Sequence, residues 1–540
     1  MHVNWRRLFF LSMLNALIFG LLALPWLNPF APGPSPAAMP LLFSWGCAAG
    51  LWGTGFWRSN GLVRARLVAI VFAAWLAVGL VSSAIGLLQY FGAVSGLDPW
   101  VNQTAVGEAF ANLRQRNQFA TLTNIALVAL LWWVHLLAPV AVQVVPAGRA
   151  VPPNVGDGLL NGQSAAALGA AAAPLSWLAA ALLAAGNAAS SSRTGLLQLV
   201  LLVAMVLWWG GWRAGAVRRV LVVAALGYAA AVVALPWLAG FDLGSQSMFA
   251  RLRDGAPACS SRWLLWSNVL DLVAQKPLLG WGWGELDYAH YINPYPGARF
   301  CEILDNAHNL PLHLAVELGL PVAALVCGAL VWWVVRQRPW READPTRQLA
   351  WAVLALVGLH SLLEYPLWYG PFQMAVAMCL VMLWRPQPAS GVPSNVKNQS
   401  NSGLVQVFVA CAAISLIAFI SYAAWDYRRV SQIYMAAPER DAALREDTLA
   451  KISSTWLFRN QFLFAQLGVT PLTFNNARWT YATATALLHY SPEPRVIEKV
   501  IESATLLGLD TQAMAHLARY QAAFPKESAK WSGARGNAAD

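Results

Sequence analysis

The sequence predicts an all-α polytopic membrane protein with about eleven transmembrane helices. Of its 540 residues, 58% are hydrophobic and only 11% charged, against roughly 25% charged in an ordinary globular domain. Apolar runs of the roughly 20 residues needed to cross a hydrocarbon core of about 30 Å recur along most of the chain. The runs lack the alternation of barrel strands, and unpaired backbone groups are costly in lipid, so helices are the structure left.

The first run, Leu8 to Leu27, follows Arg6 and Arg7 as a signal peptide would. No small-residue cleavage site follows it and further spans do, so it reads as a retained first helix. The other spans are expected at 38–57, 66–91, 119–145, 165–186, 195–212, 217–239, 310–335, 348–363, 366–384 and 404–424. Arg6 and Arg7, then Arg58, Arg64 and Arg66, then Arg149, then Arg213, Arg218 and Arg219, then Arg336, Arg338, Arg341 and Arg347, then Arg385 and Lys397 fall in alternate connections. Short cytoplasmic loops carry such excess, so the N-terminus is cytoplasmic, and an odd helix count puts the C-terminus outside. The net charge of +11 then has a topological origin and does not call for nucleic acid. Two segments are not membrane: a long external loop at 240–309 and a charged tail after 424. The domains are therefore a membrane domain, 1–424 with its loop, and an external helical domain, 425–540. Within the tail, apolar positions from Arg495 to Phe524 predict two amphipathic helices joined at Gly508 to Thr511, a hairpin resembling one tetratricopeptide unit. Residues 385–402, rich in Pro, Ser, Asn and Gln, form a cytoplasmic connector.

Charge and hydropathy alone set this topology, and it places every conspicuous polar cluster on the external side. Gln115, Arg116, Asn117 and Gln118 precede the fourth span; Ser190, Ser191, Ser192 and Arg193 the sixth; Asp305, Asn306, His308 and Asn309 the eighth; and His360 to Pro366 cross the turn before the tenth. Free N–H groups and the positive dipole end at helix N-termini favour an anion, so four such ends describe a site for a phosphate-bearing ligand. Arg193 suits either an interfacial or capping role or a pyrophosphate contact, and its planar fork favours the second. Arg262 opens an amphipathic segment whose Trp263 and Trp266 suit the outer interface, as an anchor or as a phosphate contact. His308 lies at a helix entrance marked by Pro311, where the dipole disfavours imidazolium and favours a neutral base; His313, inside the run, equally suits the core. Gly280, Gly282 and Gly284 match no nucleotide fingerprint and read as a tight turn. Glu364 orients the histidine or caps a helix.

No Asp-x-Asp pair, HExxH, CxxC or P-loop is present, so no metal, nucleotide or other cofactor is expected. Cys259 and Cys301, the two cysteines outside the apolar runs, fall in the external loop, an oxidising setting in which they are candidates for a disulfide closing about forty residues.

At these residues the sequence resembles the O-antigen ligase and polymerase superfamily, especially its protein O-oligosaccharyltransferase branch. The carrying segments are RQRNQFA (114–120), SSSRTG (190–195), SRWLLW with KPLLGWGWG (261–284), DNAHNLPLHLAVELGLP (305–321) and HSLLEYPLWYGPF (360–372). The resemblance implies a bacterial inner-membrane enzyme with its site facing the periplasm and an undecaprenyl-pyrophosphate-linked glycan as donor. It also implies a hydroxyl acceptor on an exported, pilin-like protein. It assigns Arg193 and Arg262 to the pyrophosphate, and His308 and Tyr365 to catalysis. Gln115 and Gln118 are ambiguous matches to a polar position before the fourth span, and Arg116, Asn309 and Glu364 are supporting candidates. A lipid A core acceptor, as in an O-antigen ligase, and another repeat unit, as in a polymerase, are the rivals within this chemistry. A lipid-glycan transporter or flippase is the rival of another class, for which deep ionisable residues are few and no inverted repeat is visible.

Overall fold

The computed structural model describes residues 5–28, 38–54, 61–113, 115–137, 162–241, 258–384 and 399–539. Arg58, Arg114, Arg149, Arg385, Lys397 and most of the connector lie outside them. Among the described residues the fold is helical with no strand. Each of the eleven apolar runs carries helix: α1 Trp5–Ala23, α2 Ala38–Gly53, α3 Gly61–Tyr90, α4 Arg116–Leu137, α5 Gly162–Ala189, α6 Arg193–Trp208 and α7 Gly215–Leu238 come first. The long segment between the seventh and eighth runs adds α8 Arg262–Gln275 and α9 Leu286–Ile292; then follow α10 Leu310–Leu318, α11 Leu320–Gln337, α12 Pro345–Ser361, α13 Gly370–Leu383 and α14 Gln399–Ser431. Five helices are long and apolar enough to cross a membrane: Arg64–Tyr90, Arg116–Leu137, Gly215–Leu238, Leu320–Arg341 and Val407–Tyr434.

One expected span is two helices. The run 310–335 breaks at Gly319, which adopts φ 85°. The KPLLGWGWG turn causes the break by wedging against the junction: Leu320 N–H donates to Pro277 O (2.8 Å), and Trp281 and Gly282 donate to Val316 O (2.8 Å) and Glu317 O (2.9 Å). A Cβ at Gly319 would collide with Leu278 O, and one at Gly280 with Glu317 O. Only glycine combines the left-handed backbone with that approach.

The central helix is α4, which is buried along nearly its whole length among α3, α5, α6 and α12. Its inward face carries Phe119, Leu122 and Ile125, and burial of such side chains is worth about 1.5–3 kcal/mol each. A second apolar core, separate from this one, joins α8 and α10 through Leu265, Val269, Leu314 and Val316. The tail contains α15 Thr448–Ile452, α16 Arg459–Val469, α17 Ala477–Leu487, α18 Pro494–Leu506, α19 Asp510–Ala523 and α20 Pro525–Ala539. Helices α18 and α19 pack as a hairpin turned at Gly508 (φ 70°). The tail sits against α9: Tyr288 stacks on His489 (3.8 Å), and Tyr291 OH meets His516 Nδ1 (3.0 Å). Loop and tail therefore lie on one side of the bundle.

Candidate active site

Local chemistry fixes where each cluster begins its helix. Ser192 caps α6 by accepting Gly195 N–H (2.9 Å), and Ser261 caps α8 by accepting Leu264 N–H (3.3 Å). These caps make Arg193 and Arg262 the first residues of their helices. Asn309 caps α10 by accepting Leu312 N–H (3.1 Å), with Pro311 in the first turn. Directly before that cap, His308 takes the left-handed conformation (φ 50°), and its N–H donates to Asn306 Oδ1 (2.8 Å). Such Asx turns compete with regular structure and re-aim the side chain that follows.

Two of the other polar clusters, together with Arg262, converge on the carboxylate of Glu364. Glu364 Oε2 accepts from His308 Nδ1 (2.6 Å) and Gln115 Nε2 (3.2 Å), while Oε1 accepts from Arg262 Nη2 and from Asn117 Nδ2 (3.2 Å). Burial pushes the Glu364 carboxyl up, but the hydrogen bond and charge of His308, then the charge of Arg262, outweigh it and hold its pKa below the usual value. In the neutral imidazole, donation from His308 Nδ1 to an ionised Glu364 leaves Nε2 as the unprotonated ring nitrogen. The capping alternative for Glu364 does not hold: a 3₁₀ turn, Pro366–Trp368, follows it, and α13 has no side-chain cap.

Tyr365 meets the His308 ring edge-on at 4.9 Å. Burial, then the neighbouring Tyr369, Asp305 and Glu364, raise its pKa, so its hydroxyl stays protonated and acts as a donor. Asp305 is likewise raised by burial, with His308 pulling the other way. Arg193 is exposed, opens the Ser192-capped α6 and has no hydrogen-bond or ion-pair partner among the described residues.

Other expected positions fall differently. Arg116 turns away to Glu108 (2.7 Å). Gln118 is fully buried beside the Tyr369 hydroxyl and makes no hydrogen bond to Glu364 among the described residues. In their place Asn117 enters the site, donating to Glu364 and accepting from Ser192 Oγ (2.6 Å). It joins the Glu364 cluster to the cap beneath Arg193; the RQRN quartet signalled it, but not its facing. Asn309 also donates to Leu362 O (3.0 Å) and so fastens α10 to the end of α12. His313 is a core residue, buried 3.5 Å from Glu317. On α8, Leu265, Val269, Leu272 and Val273 are buried while Trp263 and Leu270 are exposed, and Trp266 donates to Ala307 O (3.1 Å) next to His308. Cys259 and Cys301 are joined as a disulfide, Cα–Cα 5.4 Å.

The residues of the Glu364 cluster lie in segments that match known families. Residues 178–327 match the O-antigen ligase family, 109–134 the protein glycosylation ligase family, and 348–537 the C-terminal part of the virulence factor membrane-bound polymerase family. These matches support a glycosyltransferase-type enzyme of the membrane. Among individual proteins, the chain is 30% identical to a general O-oligosaccharyltransferase of Acinetobacter baylyi over 149 residues, 26% of this chain and 25% of the relative. It is 29% identical to a ComP-specific O-oligosaccharyltransferase of the same organism over 136 residues, 25% of this chain and 24% of the relative. The chain thus spans about a quarter of the length of the curated relatives it matches.

Proposed function

We propose that the protein transfers a preassembled oligosaccharide from undecaprenyl pyrophosphate to Ser or Thr hydroxyls of exported, pilin-like proteins, at the periplasmic face of a bacterial inner membrane. In this reading the eleven helical runs all cross the bilayer, and the tail, residues 425–540, is a periplasmic domain. The observation that carries it is the Glu364 carboxylate, which holds His308 and Arg262 from opposite sides in one half-enclosed cluster. A hydroxyl is a poor nucleophile near neutral pH. As its oxygen attacks the anomeric carbon, His308 Nε2 takes its proton, the bond from that carbon to the pyrophosphate oxygen breaks, and the electron pair leaves with the pyrophosphate. Arg262, Arg193 and the α6 N-terminus stabilise the departing charge without a metal ion, and Tyr365 donates a hydrogen bond to the reacting groups. A direct displacement inverts the anomeric centre.

The test is co-expression with a lipid-linked glycan pathway and a pilin. A glycan mass added to the intact pilin, lost in His308→Ala at equal membrane abundance and unaffected by chelator, is expected. The match of residues 178–327 to O-antigen ligases favours lipid A core as the second acceptor, so a gel of lipopolysaccharide accompanies the assay. Glycan appearing there and never on protein would transfer the assignment to that reading. A reporter fused after residue 440 that behaves as cytoplasmic would remove the periplasmic site.

A further inference from the structure

Beneath the Glu364 cluster the bundle carries a ladder of buried polar side chains that the chemistry above does not use. Asn117, Thr121 and Asn124 recur at i, i+4 and i+7 and share one face of α4. Thr121 Oγ1 donates to Asn117 O (2.8 Å) and accepts from Gln198 Nε2 of α6 (2.9 Å), and its remaining lone pair faces His360 Nδ1 of α12 (2.9 Å). The His360 ring therefore carries its proton on Nδ1 and donates it to the hydroxyl. Gln198 Nε2 also donates to Leu356 O (2.9 Å), and Asn124 Nδ2 donates to Gln198 Oε1 (3.2 Å) and Gly195 O (3.0 Å). Asn187 Nδ2 of α5 donates in turn to Asn124 Oδ1 (3.1 Å). Thr121, Asn124, Asn187, Gln198 and His360 are all buried.

Polar side chains inside a membrane bundle serve as glue between helices, and glue is useful anywhere along a helix. Here it is placed at one end. Ile125 to Leu131 of α4 and Leu199 to Leu207 of α6 carry no polar side chain, so the ladder stops about two turns below the site. What it grips is equally specific. On α6 it holds the first turn: Asn124 binds Gly195 O, Ser192 Oγ donates to Asn117 Oδ1 (2.6 Å), and a Cβ at Gly195 would collide with Asn187 Oδ1 and Ala120 Cβ. Beside α12, Asn117 Nδ2 donates to Glu364 Oε1 (3.2 Å), and His360 O accepts the Glu364 N–H (2.8 Å). The Arg193 guanidinium has no partner among the described residues. The place of its charge therefore rests on the backbone that this clamp holds.

Building on the function proposed above, we propose that Thr121, Asn124, Gln198 and His360 are positioning residues. They lock the entrance of α6 to the Glu364 turn across α4, so that Arg193 and Arg262 stand as one preformed seat for a pyrophosphate. A seat already in place when the donor arrives avoids the ordering that a loosely held arginine would cost on binding.

The test measures the Kd of the purified protein in nanodiscs for undecaprenyl pyrophosphate, alone and in an Arg193→Ala background, with membrane abundance followed in parallel. Thr121→Val keeps the shape and removes the hydroxyl shared by three partners; Thr121→Ser keeps the hydroxyl. Kd should rise about fivefold or more in T121V and in Gln198→Met and stay within about twofold in T121S. Added to Arg193→Ala, T121V or Q198M should change Kd by less than about twofold, because a residue acting through Arg193 then has nothing to position. Thr346→Val is the control. Thr346 accepts the Trp132 indole N–H (3.0 Å) and ties α4 to α12 at their other end, and its loss should leave Kd within about twofold. Equal losses with and without Arg193, or equal losses in T121V and T346V, mark the ladder as general glue and overturn the proposal. If T121V does not accumulate, Q198M decides, and an unchanged Kd in it overturns the proposal too. The measurement uses neither glycan nor acceptor, so coupling to Arg193 in a protein that transfers no glycan would sink the proposed reaction and leave the positioning role standing.

Discussion

Replacing Glu364 by Gln keeps the shape of the cluster and changes its chemistry. The carboxylate is buried and accepts from His308, Arg262, Gln115 and Asn117. The amide keeps one acceptor oxygen and turns the other position into a donor facing a donor, so about two of the four bonds are lost. Each such loss costs roughly 1–1.5 kcal/mol. The Arg262 pair is discounted, because that side chain is 37% exposed and screened. About 2–3 kcal/mol is therefore at stake, including the bond that fixes the His308 tautomer when the amide nitrogen takes the place of Oε2. If that bond matters chiefly when the acceptor proton moves, the upper figure, about 3 kcal/mol, corresponds to roughly 10²-fold in kcat/KM. The assay is glycan transfer to purified pilin from excess lipid-linked donor, with membrane abundance measured in parallel. E364Q transferring within about twofold of wild type at equal abundance would refute the positioning argument, since general-base steps contribute about 10²–10⁴-fold. The sign with pH follows from the depressed Glu364 pKa. Its contribution to stability is fully present above the ordinary carboxylate range and is lost only as pH falls through the lower folded value.

Arg193→Lys keeps the charge and loses the bidentate fork, so donor KM should rise by about tenfold or more; unchanged KM would show that a point charge suffices. Asp287, in α9 beneath the tail, is pushed up to about 7 by burial, with Asp305 and Glu285 adding to the rise. A raised carboxyl gives stability that is present below its unfolded pKa and lost as pH climbs through about 7, so thermal stability should fall between mildly acidic pH and pH 8; Asp287→Asn should flatten that slope, and an unchanged slope would acquit this group. The Cys259–Cys301 disulfide closes a separation of 42 residues, which the chain-entropy view values at about 4 kcal/mol. Thiol labelling of denatured protein should gain two labels on reduction, and Cys259→Ser should make the loop more protease-sensitive; equal labelling before and after reduction would show that no bridge forms in the cell.

Hydropathy and capping chemistry are properties of consecutive residues, and what depends on them was legible in the sequence. The helical membrane class, the eleven apolar runs and the tail hairpin are of this kind. So is the placing of Arg193, Arg262 and His308 at helix entrances, which the folded chain fixes through the caps Ser192, Ser261 and Asn309. The facing of residues within those entrances was not. Arg116, Asn117 and Gln118 differ by about 100° each around α4, and the packing of Phe119 and Leu122 against neighbouring helices decides that Asn117 points to Glu364 while Arg116 leaves for Glu108. Glu364 reads in sequence as one acidic residue in a turn; its role as common acceptor needs donors from 102 to 249 positions earlier and 56 positions earlier in the chain. The break at Gly319 is equally non-local, for it exists because the 277–282 turn presses on it from another part of the chain. Local free energies chose the helices, whereas the rotation of each helix and the partners of each charge were chosen by contacts that form only when the chain is folded.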